Sequence, residues 1–191
     1  MKTRSNLFIG IVICLFTLSF PVDAQVKYQV GPKPELKVSG TSTLHDWEMV
    51  STQATGEGVF VQQGGNLQEI KSLTIQMPAE SIKSGKGAMD KNTYAALDTK
   101  NHKQIKFTLS DITKSGENAW KAKGKFTIAG VTKDAAFDVK SSPVGSGFNF
   151  HGKHAFKLTD YKIDPPTALL GTVKTGDEVS IHFNITMQPI Q

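Results

Sequence analysis

The stretch Val179-Ser180-Ile181-His182-Phe183-Asn184-Ile185 alternates apolar and polar side chains without a break. Successive side chains of a β-strand point to opposite faces, so this pattern predicts a strand with one dry face and one wet face. The same period of two recurs in the segments Leu73–Met77, Ile105–Leu109, Lys125–Ile128, Phe137–Val139, Phe148–Phe150 and Phe156–Leu158. Repeated alternation of this kind predicts an antiparallel sheet that has one face in solvent.

Eight strands are predicted from these patterns, and turns rich in Gly and Asn separate several of them. The strands cover residues 35–39, 47–62, 67–77, 104–112, 119–129, 134–142, 147–159 and 178–188. One short helix is expected over 89–97, with Asp90 as its N-cap. Eight strands with an apolar inner face can close on themselves, which removes exposed sheet edges. The predicted fold class is all-β, an extended eight-stranded antiparallel β-barrel with one short helix inserted.

Residues 1–24 are typical of a cleaved secretory signal peptide. A basic start precedes the apolar run Leu7–Phe20, and small residues precede the expected cleavage site. The run has 14 residues, too few for a stable membrane anchor. The expected division is a leader over 1–24 and one β-barrel domain over 25–191. Cys14 lies in the leader, so the exported domain must be held together by its core, without a disulfide.

The charges of the predicted domain are diffuse and only mildly basic. Removing the leader leaves 20 lysines against 16 acidic residues, a formal charge of +4, and removes the only arginine, Arg4. Sequence-specific readout of nucleic acids depends heavily on arginine forks. Nucleic acid is therefore not an expected partner, whereas scattered lysines suit a solvated face or an anionic head group.

The segment Ser42–Met49 is the most unusual one, because it places His45, Asp46 and Trp47 side by side. His45 can be structural, lining a barrel mouth in a turn capped by local side chains; it can contact a ligand; or it can act as a base or metal ligand. The signatures of the common hydrolases, zinc proteases and phosphate-binding loops are missing from the sequence. No enzymatic activity and no cofactor or metal are expected.

Aromatic residues concentrate in the predicted strands. Eight phenylalanines follow the leader, all of them in predicted strands and mostly on the dry face. An eight-stranded barrel is just wide enough to be filled by side chains or to hold one small ligand. The phenylalanines therefore either fill a core or line an apolar cavity, and the residues alone leave both interpretations open.

Several motifs resemble those of the YceI-like family. They are Gly40-Thr41-Ser42-Thr43-Leu44-His45-Asp46-Trp47, the helix segment Met89-Asp90-Lys91-Asn92, the turn Gly130-Val131-Thr132-Lys133, and the closing segments Asp160–Thr167 and Gly171–Asp177. The resemblance spans about residues 35 to 188. It implies a lipocalin-like barrel that is exported to the bacterial periplasm and binds a polyisoprenoid or similar amphipathic lipid.

Under this resemblance the dry faces of the strands become the walls of a lipid site. The expected lining comprises Phe60, Leu73, Ile75, Phe107, Leu109, Phe126, Ile128, Phe137, Phe148, Phe150, Phe156, Leu158, Ile181 and Phe183. The mouth or end of the barrel is expected to carry His45, Asp46, Trp47 and Tyr94. Candidates for the polar head are Lys83, Lys86 and Lys103.

Two other hypotheses remain beside the lipid carrier. One is a packed barrel without a ligand, acting as a stress-related or partner-binding module through surface loops such as Pro165–Leu170. That segment is apolar and bounded by prolines, so it is either an interface or a lid over the barrel. The other, less favoured, is a metal site or enzyme centred on His45. A homodimer is possible in any of the three.

Overall fold

The structure is a computed structural model that describes residues 24–190. Over these residues the chain forms eleven β-strands and one α-helix. The strands are β1 Ala24–Val30, β2 Glu35–Ser42, β3 Trp47–Ser51, β4 Thr55–Gln63, β5 Asn66–Pro78, β6 Gln104–Gly116, β7 Ala119–Ile128, β8 Val131–Val144, β9 Gly147–Lys157, β10 Thr167–Ala168 and β11 Val173–Pro189, and the helix is α1 Gly87–Ala96. The leader predicted over 1–24 lies, apart from Ala24, outside the described residues, so the predicted division of the chain stays a prediction.

Eight of the strands form a closed ring. In the order β1, β4, β5, β6, β7, β8, β9, β11, each strand pairs antiparallel with the next, and β11 returns to β1. Across this closing seam Tyr28 lies opposite Pro189, and Val30 lies opposite Met187. The predicted all-β fold, an eight-stranded antiparallel barrel with one short inserted helix, is confirmed.

The barrel is extended at one end because two of its long strands are interrupted. The segment 31–34 separates β1 from β2, and its two prolines lack the N–H groups that a continuous ladder needs. The segment 52–54, which contains no proline, separates β3 from β4. The strands on both sides of each interruption stay paired. β4 pairs with β1, β3 pairs with β2, and β2 pairs with the first part of β11.

The strand prediction was wrong in two respects, one strand that is divided and one that was not predicted. The segment 47–62 is two strands, β3 and β4, because the chain bends at 52–54 to pair first with β2 and then with β1. Strand β1 was not predicted at all, although Val26, Tyr28 and Val30 alternate with polar residues. That strand follows the predicted cleavage site directly, and without it the ring would not close.

The helix begins earlier than predicted, and Asp90 is not its N-cap. α1 starts after Lys86, which places Asp90 in the first turn. The Asp90 carboxylate accepts hydrogen bonds from the backbone N–H (2.8 Å) and the hydroxyl (2.6 Å) of Ser84. These bonds lower the pKa of Asp90, since they favour the charged form. Asp90 therefore fixes the loop that leads into the helix instead of capping the helix itself.

The end of the barrel opposite α1 is closed by packed aromatic rings. Tyr28 and Phe60 are fully buried and stack with their ring centroids 4.5 Å apart. Phe148 packs against Tyr28, and Phe150 meets Phe60 edge-on at 5.6 Å. The Tyr28 hydroxyl donates a hydrogen bond to Gln62 Oε1 at 3.0 Å, so the buried ring keeps a polar partner.

Candidate functional site

A cavity of about 360 Å³ opens at the end of the barrel that α1 covers, and we call it the main cavity. Its walls come from the inner faces of β2, β3, β5, β6, β7, β9 and β11, from one side of α1, and from the segment around β10. A well-packed domain has few voids larger than a water molecule. The main cavity is much larger than such a void, so it is a structural feature of this barrel and not a packing defect.

The interior of the main cavity is dry. Met49, Met77, Ile105, Val179 and Ile181 are all buried and face it from four strands. They occupy the inward positions of their strands, because every second side chain of a strand points to the same face. An apolar chain placed against these residues would be removed from water.

The rim of the main cavity carries several polar side chains beside exposed apolar ones such as Leu44 and Leu169. Ser42, His45, Lys86, Asn92 and Thr167 line it, and all except the partly buried Ser42 are exposed. Their positions on the β2–β3 turn, on α1 with its preceding loop, and on β10 surround the opening. The cavity thus runs from a rim that carries polar groups, one of them an ammonium, to an apolar floor.

The β2–β3 turn holds Trp47 against the cavity. Ser42 Oγ accepts hydrogen bonds from the N–H groups of Leu44 (3.3 Å) and His45 (3.1 Å) and donates to the carbonyl of His45 at 2.6 Å. Trp47 Nε1 donates to the carbonyl of Thr41 at 2.9 Å. The indole covers Gly40, where a Cβ would lie only 2.5 Å from Trp47 Cζ2. The backbone of the turn is thus hydrogen-bonded by a local side chain, that of Ser42, as the sequence led us to expect.

His45 and Asp46 do not form a side-chain pair. The Nδ1 atom of His45 lies 2.7 Å from the backbone oxygen of Asp46, and both side chains are exposed. A catalytic histidine needs a second group that orients or activates it. Among residues 24–190, no three His, Cys, Asp or Glu side chains come together as a metal site. The hypothesis of a metal site or enzyme at His45 gains no support from this arrangement.

A second cavity of about 90 Å³, the inner cavity, lies deeper in the barrel. It is lined only by apolar side chains of β2, β5, β6, β7, β8, β9 and β11, and it borders the aromatic cluster at the closed end through Phe150. The two cavities have one lining residue in common, Ile181.

The fourteen predicted lining residues are divided between these spaces. Those that line the inner cavity are Leu73, Ile75, Phe107, Leu109, Phe126, Phe137, Phe150, Ile181 and Phe183. Those that line the main cavity are Ile128, Phe156, Leu158 and again Ile181. Phe60 and Phe148 line neither cavity and belong to the closed end. Contact of any of them with a ligand stays a prediction.

Of the four residues predicted at the barrel mouth, two face the main cavity. His45 and Trp47 line it, whereas Asp46 is exposed and does not. Tyr94 also lies off the cavity, because its hydroxyl donates to the carbonyls of Glu80 (3.0 Å) and Ile82 (2.9 Å). Those bonds dock α1 onto the segment that follows β5, so Tyr94 positions the helical wall without lining the cavity.

Sequence reasoning missed the residues that close the mouth from outside the strands. They lie outside the eight predicted strands and are Leu44, Ile82, Ala88, Met89, Asn92, Thr93, Ala96, Leu97, Ile163 and Val173. A short helix without a clear apolar stripe gives no signal of which side faces the barrel. The segment 165–170 was predicted to be either a lid or an interface, and four of its residues form cavity wall. Leu170 is fully exposed, and Leu169 is largely exposed although it lines the mouth.

His154 is the other residue that was overlooked. It lies on the inner face of β9, and its ring stacks on Phe126 at 5.3 Å and packs against Phe137 at 5.4 Å and Phe156 at 6.0 Å. This apolar burial lowers its pKa below the usual value of 6.5. The alternation of side chains along a strand puts His151 and His154 on opposite faces, but it does not show which of them faces inward.

We expect His154 to make the barrel less stable in mild acid. The unfolded chain takes up a proton near pH 6.5, whereas the buried ring resists protonation, so stability falls as the pH drops from about 6.5 to the lowered pKa of the folded state. The variant His154→Phe removes this titration, and its melting temperature should fall less than that of the wild type between pH 7.5 and pH 5. Equal decreases in the two proteins would show that protonation of His154 is not what weakens the barrel.

Comparison with known proteins agrees with this geometry. The model of the YceI-like domain matches residues 20–187. None of the curated protein sequences compared with this chain matches it. No helix within residues 24–190 has the length and apolar character that crossing a bilayer requires.

Several solved structures share the fold. Burkholderia cenocepacia BcnA superposes with a TM-score of 0.68 at 19% identity, covering 80% of this chain and 95% of BcnA. A polyisoprenoid binding domain from Saccharophagus degradans, implicated in plant cell wall breakdown, has a TM-score of 0.64 at 9% identity and covers 86% and 99%. A variant of the Campylobacter jejuni YCEI protein with a monobromobimane guest has a TM-score of 0.61 at 16% identity, over 100% and 99%. The match of the domain model over most of the chain, together with the closed barrel, shows that this protein belongs to the YceI-like domain family.

Proposed function

We propose that this protein binds an isoprenoid or a similar amphipathic long-chain lipid in the main cavity and acts as an exported carrier or store. The observation that carries the proposal is the gradient within that cavity, from the polar rim at Lys86 and Asn92 to the buried floor at Val179 and Ile181. An apolar tail gains about 0.8 kcal/mol for each CH₂ removed from water, so few polar contacts are needed to hold it.

The head group of the lipid would lie at the rim, close to Lys86. Of the three lysines considered from the sequence, only Lys86 lines the main cavity. The Lys83 ammonium lies over the Tyr94 ring, 4.9 Å from its centroid, and Lys103 is exposed and lines neither cavity. A hydroxyl or anionic head could accept hydrogen bonds from Lys86 and Asn92 while its tail points inward.

The size of the main cavity favours this function over a packed barrel that holds no ligand. A void of about 360 Å³ leaves its apolar lining without packing partners, which costs stability unless something fills it. The Saccharophagus degradans domain, which shares the fold, is described as polyisoprenoid binding. Export to the periplasm rests on the predicted leader over residues 1–24.

The proposal is tested by thermal unfolding of delipidated protein with and without farnesol. A ligand at 100 times its dissociation constant stabilises the folded state by about 2.7 kcal/mol, which should raise the melting temperature by about 5–11 °C. A branched five-carbon alcohol, which offers one isoprene unit, is the control and should have little effect. No increase with farnesol or with a fatty alcohol of similar length would contradict the proposal.

A further inference from the structure

The boundary between the two cavities crosses the barrel at one level. On four strands, neighbouring inward residues face different cavities, the first of each pair the main cavity and the second the inner cavity: Val38 and Leu36, Met77 and Ile75, Ile105 and Phe107, and Ile128 and Phe126. On β11 the boundary passes through Ile181, which faces both. A single layer of side chains therefore divides the interior.

His154 and Ile181 lie side by side at the level of this layer. They lie directly opposite each other in the pairing of β9 with β11. His154 lines neither cavity, yet its ring contacts Phe156 in the wall of the main cavity and Phe126 and Phe137 in the wall of the inner cavity. The imidazole therefore occupies the space through which the two cavities would otherwise join.

The rings below this layer have little room to move aside. Gly152 lies two residues before His154 on β9, and a Cβ there would lie 2.6 Å from Phe183 Cζ. A Cβ at Gly124 would lie 2.5 Å from Phe107 Cζ. Each ring thus lies in contact with the backbone of a neighbouring strand, and Phe183 also meets Phe137 edge-on at 5.7 Å. A tail that reaches His154 would meet a packed aromatic layer.

We propose that the layer of His154, Ile181, Phe126 and Phe137 limits the length of the lipid tail that the protein can bury. This inference rests on the proposed function. An apolar cavity of about 150 Å³ holds benzene, which corresponds to about 25 Å³ per carbon atom. The main cavity, at about 360 Å³, then holds about 14 carbons, close to three isoprene units. The inner cavity, at about 90 Å³, holds about four more if the layer is opened.

The test is calorimetric titration with geraniol, farnesol and geranylgeraniol, which have 10, 15 and 20 carbons. In the wild type, the affinity should increase at least about tenfold from geraniol to farnesol, because five more carbons are buried. From farnesol to geranylgeraniol it should change less than about threefold, since the added unit stays outside the main cavity. A further increase of about tenfold or more in the wild type would overturn the inference while leaving lipid binding intact.

Two variants open the layer from the neighbouring strands β9 and β11. His154→Ala and Ile181→Ala should each bind geranylgeraniol at least about tenfold more tightly than farnesol, because the tail can then enter the inner cavity. His154→Phe keeps a ring of similar size and should retain the wild-type limit. His151→Ala, at an exposed position of the same strand, should also bind like the wild type.

The outcomes separate this inference from the proposed function. If no alcohol binds the wild type, the proposed function and the length limit both fail. If the alcohols bind but both opened variants, folded by circular dichroism, keep the wild-type preference, only the length limit fails. If one opened variant does not fold, the other one decides. If neither folds, the comparison of farnesol with geranylgeraniol in the wild type decides.

Discussion

Replacing Phe60 by alanine should lower the free energy of unfolding by about 3–5 kcal/mol, which is the range for deletion of a fully buried phenylalanine. The Phe60 side chain is fully buried, stacks on Tyr28 at 4.5 Å and meets Phe150 edge-on at 5.6 Å. It lines neither cavity, so the space left by the ring would be a new cavity at the closed end. The melting temperature should fall by roughly 6–20 °C.

The matched control is Phe156→Ala. Phe156 is only partly buried and already borders the main cavity. Its ring therefore has fewer packing contacts to lose than the ring of Phe60. Its effect on the free energy of unfolding, measured by urea denaturation, should be clearly smaller than that of Phe60→Ala. Equal losses at the two positions would mean that the wall of the main cavity is packed as tightly as the closed end.

Replacing Ala96 by phenylalanine should have the largest effect on lipid binding. Ala96 lies on α1 and lines the main cavity, and the substitution adds six carbons to the side chain. At about 25 Å³ per carbon, the new ring takes roughly 150 Å³ of the cavity. A tail that loses contact for about six carbons should bind at least about 100-fold more weakly. The empty protein should melt at the same temperature or higher, because the ring fills a void.

Ala95→Phe is the control for this variant. Ala95 is exposed and adjacent on the same helix, so the substitution has the same effect on helix propensity without entering the main cavity. Calorimetry with farnesol should show wild-type affinity for Ala95→Phe and greatly weakened binding for Ala96→Phe. Equal affinities in the two variants would place the ligand somewhere other than the main cavity.

The alternation of side chains predicted which residues face inward, but not what they face. Ile105, Phe107 and Leu109 all point into the barrel, because a strand has only two faces and the sequence marks the dry one. The same pattern applies to Phe60 and Phe183, yet Phe60 fills the closed end while Phe183 borders the inner cavity. The difference arises from the level of each residue along the barrel, which depends on pairing between distant strands.

Residues outside the regular strands were the hardest to predict. α1 places Met89 and Ala96 against the main cavity, although nothing in its short sequence marks that side as buried. His154 looked like an ordinary strand histidine, since only the pairing of β9 with β11 shows that it lies opposite Ile181. Both features depend on tertiary contacts for which a single sequence contains no periodic signal.

Native mass spectrometry of the protein purified from its own host, followed by organic extraction, tests the lipid-binding account most directly. We expect a folded protein with one bound molecule that organic solvent releases as an isoprenoid or other long-chain lipid, and we expect Ala96→Phe, prepared in parallel, to be empty. Wild-type protein that is folded, homogeneous and empty, and that still binds no farnesol when it is added, would contradict the account.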